Sequence, residues 1–287
     1  RNIDASQLLF LDSICKFSLI DARTGNQEWH VELERRPLQD TEIELRPGAS
    51  FKAARVAFSD PERNGRSWTR YLINYPVPQG YKRAHKATGA TTPLSIAVSE
   101  SDGSGILAAG MPLDVPWSLP QSLNAQFDPD LARLDLRETE WNKWLLKRLG
   151  ELVGGIALHR FSDEPEKAWQ AVPLRSEIVS KGSWPTKQFS ELVDIVQDRM
   201  RSKALLNIGK RKVRLFEISF TSGGTAGILS MADQARLAPQ KVPLPKRYHG
   251  AKGRWHTVLD DFDVSRRLEI QDALELFAPS AIFISTL

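Results

Sequence analysis

Lys52-Ala53-Ala54-Arg55-Val56-Ala57-Phe58-Ser59, then Asp60-Pro61-Glu62-Arg63-Asn64-Gly65, then Ser67-Trp68-Thr69-Arg70-Tyr71-Leu72-Ile73-Asn74-Tyr75 is the stretch on which the fold turns. Two apolar runs rich in aromatic and β-branched residues flank a Pro and an Asn-Gly pair. Pro pre-sets one turn dihedral and Asn-Gly accepts the left-handed backbone of a tight turn, so the stretch predicts two antiparallel strands.

Working outward, Asp4 to Asp12 reads as a short helix or helix end with Leu8, Leu9 and Leu11 apolar. Ile14–Ile20 and Glu28–Glu34, the latter alternating Trp29, Val31 and Leu33, predict a hairpin around Thr24-Gly25-Asn26. Pro93–Ser99 and Ile106–Met111, joined by Ser101-Asp102-Gly103-Ser104-Gly105, predict a third strand pair. Beyond residue 127 the period lengthens. Thr139 caps an expected helix carrying Trp141, Trp144, Leu145, Leu149 and Leu152, which Gly150, Gly154 and Gly155 would weaken or end. Pro185 suits the first turn of a second helix with Phe189, Leu192, Val193, Val196 and Met200 on one face. Ser265 would cap a third, with Ile270, Ala273, Leu274 and Phe277 inward, and Val213–Phe220 alternates as a strand. The expected class is α+β: a mostly antiparallel sheet with flanking helices in the first half and an α-rich second domain with some β. The boundary falls between 1–153 and 154–287, with 150–166 as hinge.

Of the 287 residues, 41% are apolar and 26% charged, enough to build a core and too mixed for collagen or wholesale disorder. No apolar run reaches membrane-spanning length and no signal pattern opens the chain, so no membrane partner is expected. One cysteine, Cys15, allows no intrachain disulfide and predicts a reducing, cytoplasmic compartment. The start at Arg1 without methionine is expected of a piece of a longer protein. Residues 1–155 carry 19 basic against 20 acidic residues; residues 156–287 carry 20 against 15. The excess gathers in two stretches without acids: Arg199, Arg201, Lys203, Lys210, Arg211, Lys212 and Arg214, then Lys241, Lys246, Arg247, Lys252 and Arg254. Such blocks form a solvated surface, meet an acidic partner domain, or attract phosphates.

Self-contained chemistry is poorly supplied. His30, His85, His159, His249 and His256 have no ligand spacing among themselves or with Cys15, so no metal is expected. Ser222-Gly223-Gly224-Thr225-Ala226-Gly227 lacks a nucleophile elbow and reads as a turn. Asp102-Gly103-Ser104-Gly105 reads as a hairpin turn. Gly209-Lys210-Arg211-Lys212 lacks the glycine and Ser/Thr of a phosphate loop. Trp141 and Trp144 suit a helix core, and Trp117, between Pro116 and Pro120, suits packing beneath the sheet or a partner groove.

Ala108 to Leu149 holds Met111-Pro112-Leu113, Leu123-Asn124-Ala125-Gln126-Phe127, Arg133 six residues later, and Trp141-Asn142-Lys143-Trp144-Leu145-Leu146. With the opening Leu8-Leu9-Phe10-Leu11 and its hairpin, this resembles the region after the ATP-binding domain in sacsin-like and NO VEIN-like proteins. These are chaperone-related members of the GHKL ATPase superfamily. The likeness covers roughly 5–150. A looser likeness runs through Lys246-Arg247-Tyr248-His249-Gly250-Ala251-Lys252-Gly253-Arg254-Trp255 and Ala273-Leu274-Glu275-Leu276-Phe277.

The resemblance implies a middle region that couples ATP-driven domain closure to a client or partner protein. ATP and Mg would be held by an N-terminal domain of the same parent, outside this chain, and the chain alone would be inactive. It also implies a basic residue reaching the γ-phosphate on closure. By position this is Arg133, with Arg137 as a weaker substitute; the family commonly has a small hydroxyl residue before that arginine, and this chain has Ala132. The other reading of Arg133 is a structural pair with Asp130 or Asp135. Lys210, Arg211, Lys212, Lys252 and Arg254 are candidate phosphate or partner contacts. A second hypothesis makes the basic half a nucleic-acid-binding module, with Tyr248 and Trp255 stacking bases beside Lys252; a third is a scaffold without chemistry.

Overall fold

The structure, a computed structural model, describes residues 4–25, 27–61, 66–81, 89–100, 105–178, 184–221, 229–249, 254–262, 266–269, 271–272 and 274. It has an α+β fold, with a mostly antiparallel sheet in the first half and helices in the second. The chain forms two compact units: residues 1–159 with 170–196, and residues 160–169 with 197–287.

In the first unit, β1 (Lys16–Ile20) and β2 (Gln27–Glu32) pair antiparallel, as their alternation predicts. β3 (Glu34–Arg46), β4 (Ala49–Ser59), β5 (Ser67–Pro76) and β6 (Thr91–Ser99) continue as antiparallel neighbours. β4 and β5 pair from Ser59↔Ser67 to Ala54↔Leu72, while residues 62–65 of their turn lie outside the described residues. β7 (Leu107–Ala109), β8 (Met111–Pro112) and β9 (Gln121–Ala125) complete a sheet that, among the described residues, has seven strands in the order β3-β4-β5-β6-β9-β7-β8.

The third strand pair expected from sequence does not form. β9 lies between β6 and β7, antiparallel to the first and parallel to the second. Gly105 makes this possible: a Cβ there would sit 2.2 Å from the Gln121 carbonyl oxygen, so only glycine lets the chain entering β7 run against β9. Ser101–Ser104, read as a hairpin turn, lie outside the described residues.

Strand alternation gives the sheet two buried faces. Phe58, Trp68 and Ala97 share one with Ala5, Leu8, Leu9 and Phe10 of the N-terminal segment. That segment is a single 3-10 turn over Ala5–Leu8, shorter than the expected helix. Arg70 anchors it, with Nη1 donating to the Leu9 carbonyl at 2.8 Å and Nη2 2.7 Å from Asp12. Arg66 grips Asp4 with two bonds of 2.7 and 2.8 Å. Burial works to raise the Asp4 pKa, but these bonds and the Ser6 N–H hold it well below the usual carboxylate range. The pair's stabilisation is therefore complete above the unfolded pKa near 4 and is lost as pH falls below it, because the unfolded chain takes up the proton first. Arg66→Gln is expected to remove about 1 kcal/mol at pH 7, this pair being partly solvated. It should also move the acid-unfolding midpoint, followed by far-UV circular dichroism, to higher pH.

The other face, with Tyr71, Ile73, Leu94, Ile96 and Val98, belongs to α1 (Glu140–Asp163). Thr139 caps α1 through its hydroxyl, which accepts the Asn142 N–H at 3.1 Å. The glycines do not end the helix. It runs through 150–163, so the expected hinge begins in regular helix. Gly155 instead seats α1 on β3: a Cβ there would lie 2.6 Å from Ile43 Cγ2 and 2.7 Å from the Glu44 oxygen. Gly150 faces Leu192 of α3 (Trp184–Ser202), the helix predicted from Pro185, whose Phe189, Leu192 and Val193 are buried.

The second unit holds α2 (Pro165–Ala168), then β10 (Leu206–Ile208) and β11 (Arg211–Val213), which form a hairpin. The strand expected over Val213–Phe220 is broken by a 3-10 turn at Leu215–Glu217, and β12 (Ile218–Thr221) begins after it. α4 (Met231–Leu237), β13 (Val242–Pro243), α5 (Arg254–Phe262) and β14 (Arg266–Leu268) follow. β13 and β14 flank β12, both parallel to it. β14 occupies the first residues of the helix expected from Ser265, while Gln271, Asp272 and Leu274 further along are helical. Ser265, Ile270, Ala273 and Phe277 lie outside the described residues, and Leu274 is exposed. Trp169 anchors this core, donating from Nε1 to the Tyr248 carbonyl at 2.6 Å and meeting Phe161 edge-to-face. Among the described residues no helix is long and apolar enough to cross a membrane.

Candidate functional site

The loop between β9 and α1 is built around Asn142, which has no exposed surface. Its Nδ2 donates to the carbonyls of Asp128 and Arg137, both at 2.8 Å, while its Oδ1 accepts the Asp128 N–H at 2.9 Å. Trp141 Nε1 adds a bond to the Gln126 carbonyl at 2.8 Å. One buried amide thus clamps both ends of segment 128–137 onto the first turn of α1. Within the clamp, the Asp130 N–H donates to the Asp135 carbonyl at 2.9 Å, and Asp130 Oδ1 accepts the Leu134 N–H at 2.8 Å. Asn142→Ala is expected to lower stability by about 2 kcal/mol, since it strands buried backbone groups. It should also speed amide exchange of Asp128 and Leu134, readable by hydrogen exchange.

At the tip of this loop sits Arg133, with φ of 57°, the left-handed region that ordinary side chains avoid. Its Nη2 donates to the Met111 carbonyl at 2.9 Å and the Ala109 carbonyl at 3.3 Å, on either side of the β7–β8 turn. Its own carbonyl accepts the Asp114 N–H at 3.0 Å. The pairing with Asp130 or Asp135 weighed from sequence does not form: Asp135 Oδ1 accepts the Leu136 N–H, and Asp130 Oδ1 is taken as above. The guanidinium is thus oriented by neutral carbonyls at the sheet edge and is half-exposed. Around it Leu131 is fully exposed, and Leu134 and Met111 are 54% and 60% exposed. Arg137 is exposed at the base of the loop, and its backbone takes part in the Asn142 clamp.

In the second unit, Lys210, Arg211 and Lys212 stand exposed on the β10–β11 hairpin, which turns at Gly209 with φ of 63°. Arg254 opens α5 and donates from Nε to the Trp169 carbonyl at 3.1 Å, a structural bond. Lys252 lies outside the described residues. Tyr248 and Trp255 are 2% and 7% exposed, so neither offers the base-stacking surface read from sequence: their rings close the core, and His249 covers Trp255 at 4.3 Å. Sequence reasoning quoted Asn142 only as part of the Trp141–Leu146 motif and missed its clamping role, for which its place three residues after the capping Thr139 is a signal. It also left unread the cleft of about 700 Å³ beside α1, lined by Tyr81, Lys143, Trp144, Arg148, Lys187 and Glu191. There Arg148 is already paired with Glu151 at 2.7 Å. Trp117 packs edge-to-face on Phe189.

No protein-family model, curated protein or solved structure matches the chain.

Proposed function

We propose that this chain is the middle region of a sacsin-like, chaperone-related GHKL ATPase, and that Arg133 is the residue it lends to the γ-phosphate of ATP held by a separate domain. The observation that carries this reading is the Arg133 guanidinium, aimed by two backbone carbonyls, unpaired with either neighbouring carboxylate, and ringed by exposed Met111, Leu131 and Leu134. Phosphoryl transfer spreads negative charge over the equatorial oxygens, and a positioned guanidinium stabilises that charge in the transition state. The fork of arginine matches phosphate geometry and keeps its charge at every working pH. The apolar ring gives a docking domain surface to cover, so closure would dehydrate the contact and strengthen it. ATP, Mg and the client protein belong to the parent in this reading, and the chain on its own turns nothing over. The test is ATP turnover of the protein carrying its ATP-binding domain, with Arg133→Ala against wild type. Unchanged turnover in a normally folded variant removes the role.

A further inference from the structure

We infer that the β10–β11 hairpin and the Lys246–Tyr248 turn form one surface that docks on the phosphate backbone of a nucleic-acid duplex. Residues 199–216 and 234–259 each lack a carboxylate, and the fold brings the two stretches together. The Tyr248 hydroxyl accepts the Asn207 N–H at 2.7 Å and lies 2.9 Å from the Asn207 carbonyl. Arg247 Nη2 also donates to that carbonyl, and Asn207 pairs with Lys212 across the hairpin. Arg247 is thereby fixed on the outer edge of β10, the strand that pairs with Lys212 of β11, with Lys246 next to it in sequence and Lys210 and Arg211 at the hairpin tip.

All five of these side chains are exposed, and among the described residues none has a carboxylate partner. The nearest acids in sequence are engaged elsewhere: Glu217 Oε2 accepts the Arg214 N–H at 2.8 Å, and Asp198 pairs with Arg201 at 3.3 Å. Five uncompensated cations, three on the two-stranded ribbon and two on the turn bonded to it, repel one another until a polyanion neutralises them and releases counterions. An acidic protein is the weaker fit, because protein interfaces close over an apolar centre. A single strand is also the weaker fit, since burial of Tyr248 and Trp255 removes the platforms on which unpaired bases stack. A two-stranded ribbon has the width a duplex major groove admits.

The experiment titrates the whole 287-residue chain against a fluorescein-labelled DNA duplex of roughly 24 base pairs, long enough to span about two helical turns. Anisotropy is read at several salt concentrations between about 50 and 200 mM. Five phosphate contacts predict log K falling with log salt at a slope of about −4 to −5. Combining Lys210→Ala, Arg211→Ala and Lys212→Ala should reduce affinity about 30-fold and flatten the slope by about 3. Combining Arg46→Ala, Lys147→Ala and Lys187→Ala, which removes equal charge from the first unit, should leave both unchanged. The charge-keeping set Lys210→Arg, Arg211→Lys and Lys212→Arg should bind as wild type, which separates lost charge from lost folding. No binding by the wild-type chain at the lowest salt overturns the proposal. So does equal loss in both alanine sets, tighter binding of the single strand, or poly-glutamate competing as well as duplex.

Discussion

Replacing Arg133 by alanine, in the protein that carries its ATP-binding domain, is expected to reduce ATP turnover by 10²- to 10³-fold, about 3–4 kcal/mol of transition-state stabilisation. On the proposed role, the contact is made late, when charge has moved onto the γ-phosphate oxygens. Turnover should then fall far more than nucleotide affinity. Arg133→Lys keeps the charge but loses the fork, and should recover only part of the rate. Both variants keep a non-glycine residue at a φ of 57°, so the backbone strain is common to both and cannot account for a difference between them. Steady-state kinetics with nucleotide binding measured separately checks this. Equal losses in affinity and turnover would make Arg133 a binding residue only.

Gly155→Ala is expected to destabilise the first unit by about 3 kcal/mol, against the helix propensity that alone would favour alanine by about 1. The sign is decided by the neighbour: the new Cβ would meet the Glu44 carbonyl oxygen at 2.7 Å, and that backbone is held in the β3–β4 ladder. Gly150→Ala supplies the comparison, because its nearest atom is Leu192 Cγ at 3.3 Å, a side-chain atom that can shift. It should be neutral or slightly stabilising. Urea unfolding of both variants reads the difference, and similar effects at the two positions would refute the packing argument.

The strands that turn chemistry marks were legible. Asn64-Gly65 announced β4 and β5, and Thr24-Gly25 announced β1 and β2, because a tight turn restricts residue choice more than a strand does. β3 and β9 were missed for opposite reasons. β3 is an edge strand whose first half is charged and interrupted by Pro37, leaving Ile43 and Leu45 as its buried residues. β9 pairs with a strand far ahead of it, and no local pattern encodes a long-range partner. The glycines of α1 read as breakers because sequence shows what glycine does to an isolated helix and hides the strand lying against it. Arg133 was named from sequence as a candidate by its position; its carbonyl anchors could not be named, since backbone acceptors carry no residue signature. The basic stretches were visible one at a time, and only Tyr248 and Arg247 reaching Asn207 makes them a single surface.

The small parallel sheet of the second unit sets an order on biogenesis. β12 leaves the ribosome first, yet its two neighbours arrive about twenty and about forty-five residues later, the second ending at Leu268. Until β13 arrives the nascent chain carries a buried-type strand, Ile218-Ser219-Phe220-Thr221, with unsatisfied edges on both sides, and one of them stays open until β14 follows. Any shortened version that stops before Leu268 keeps that adhesive edge permanently open.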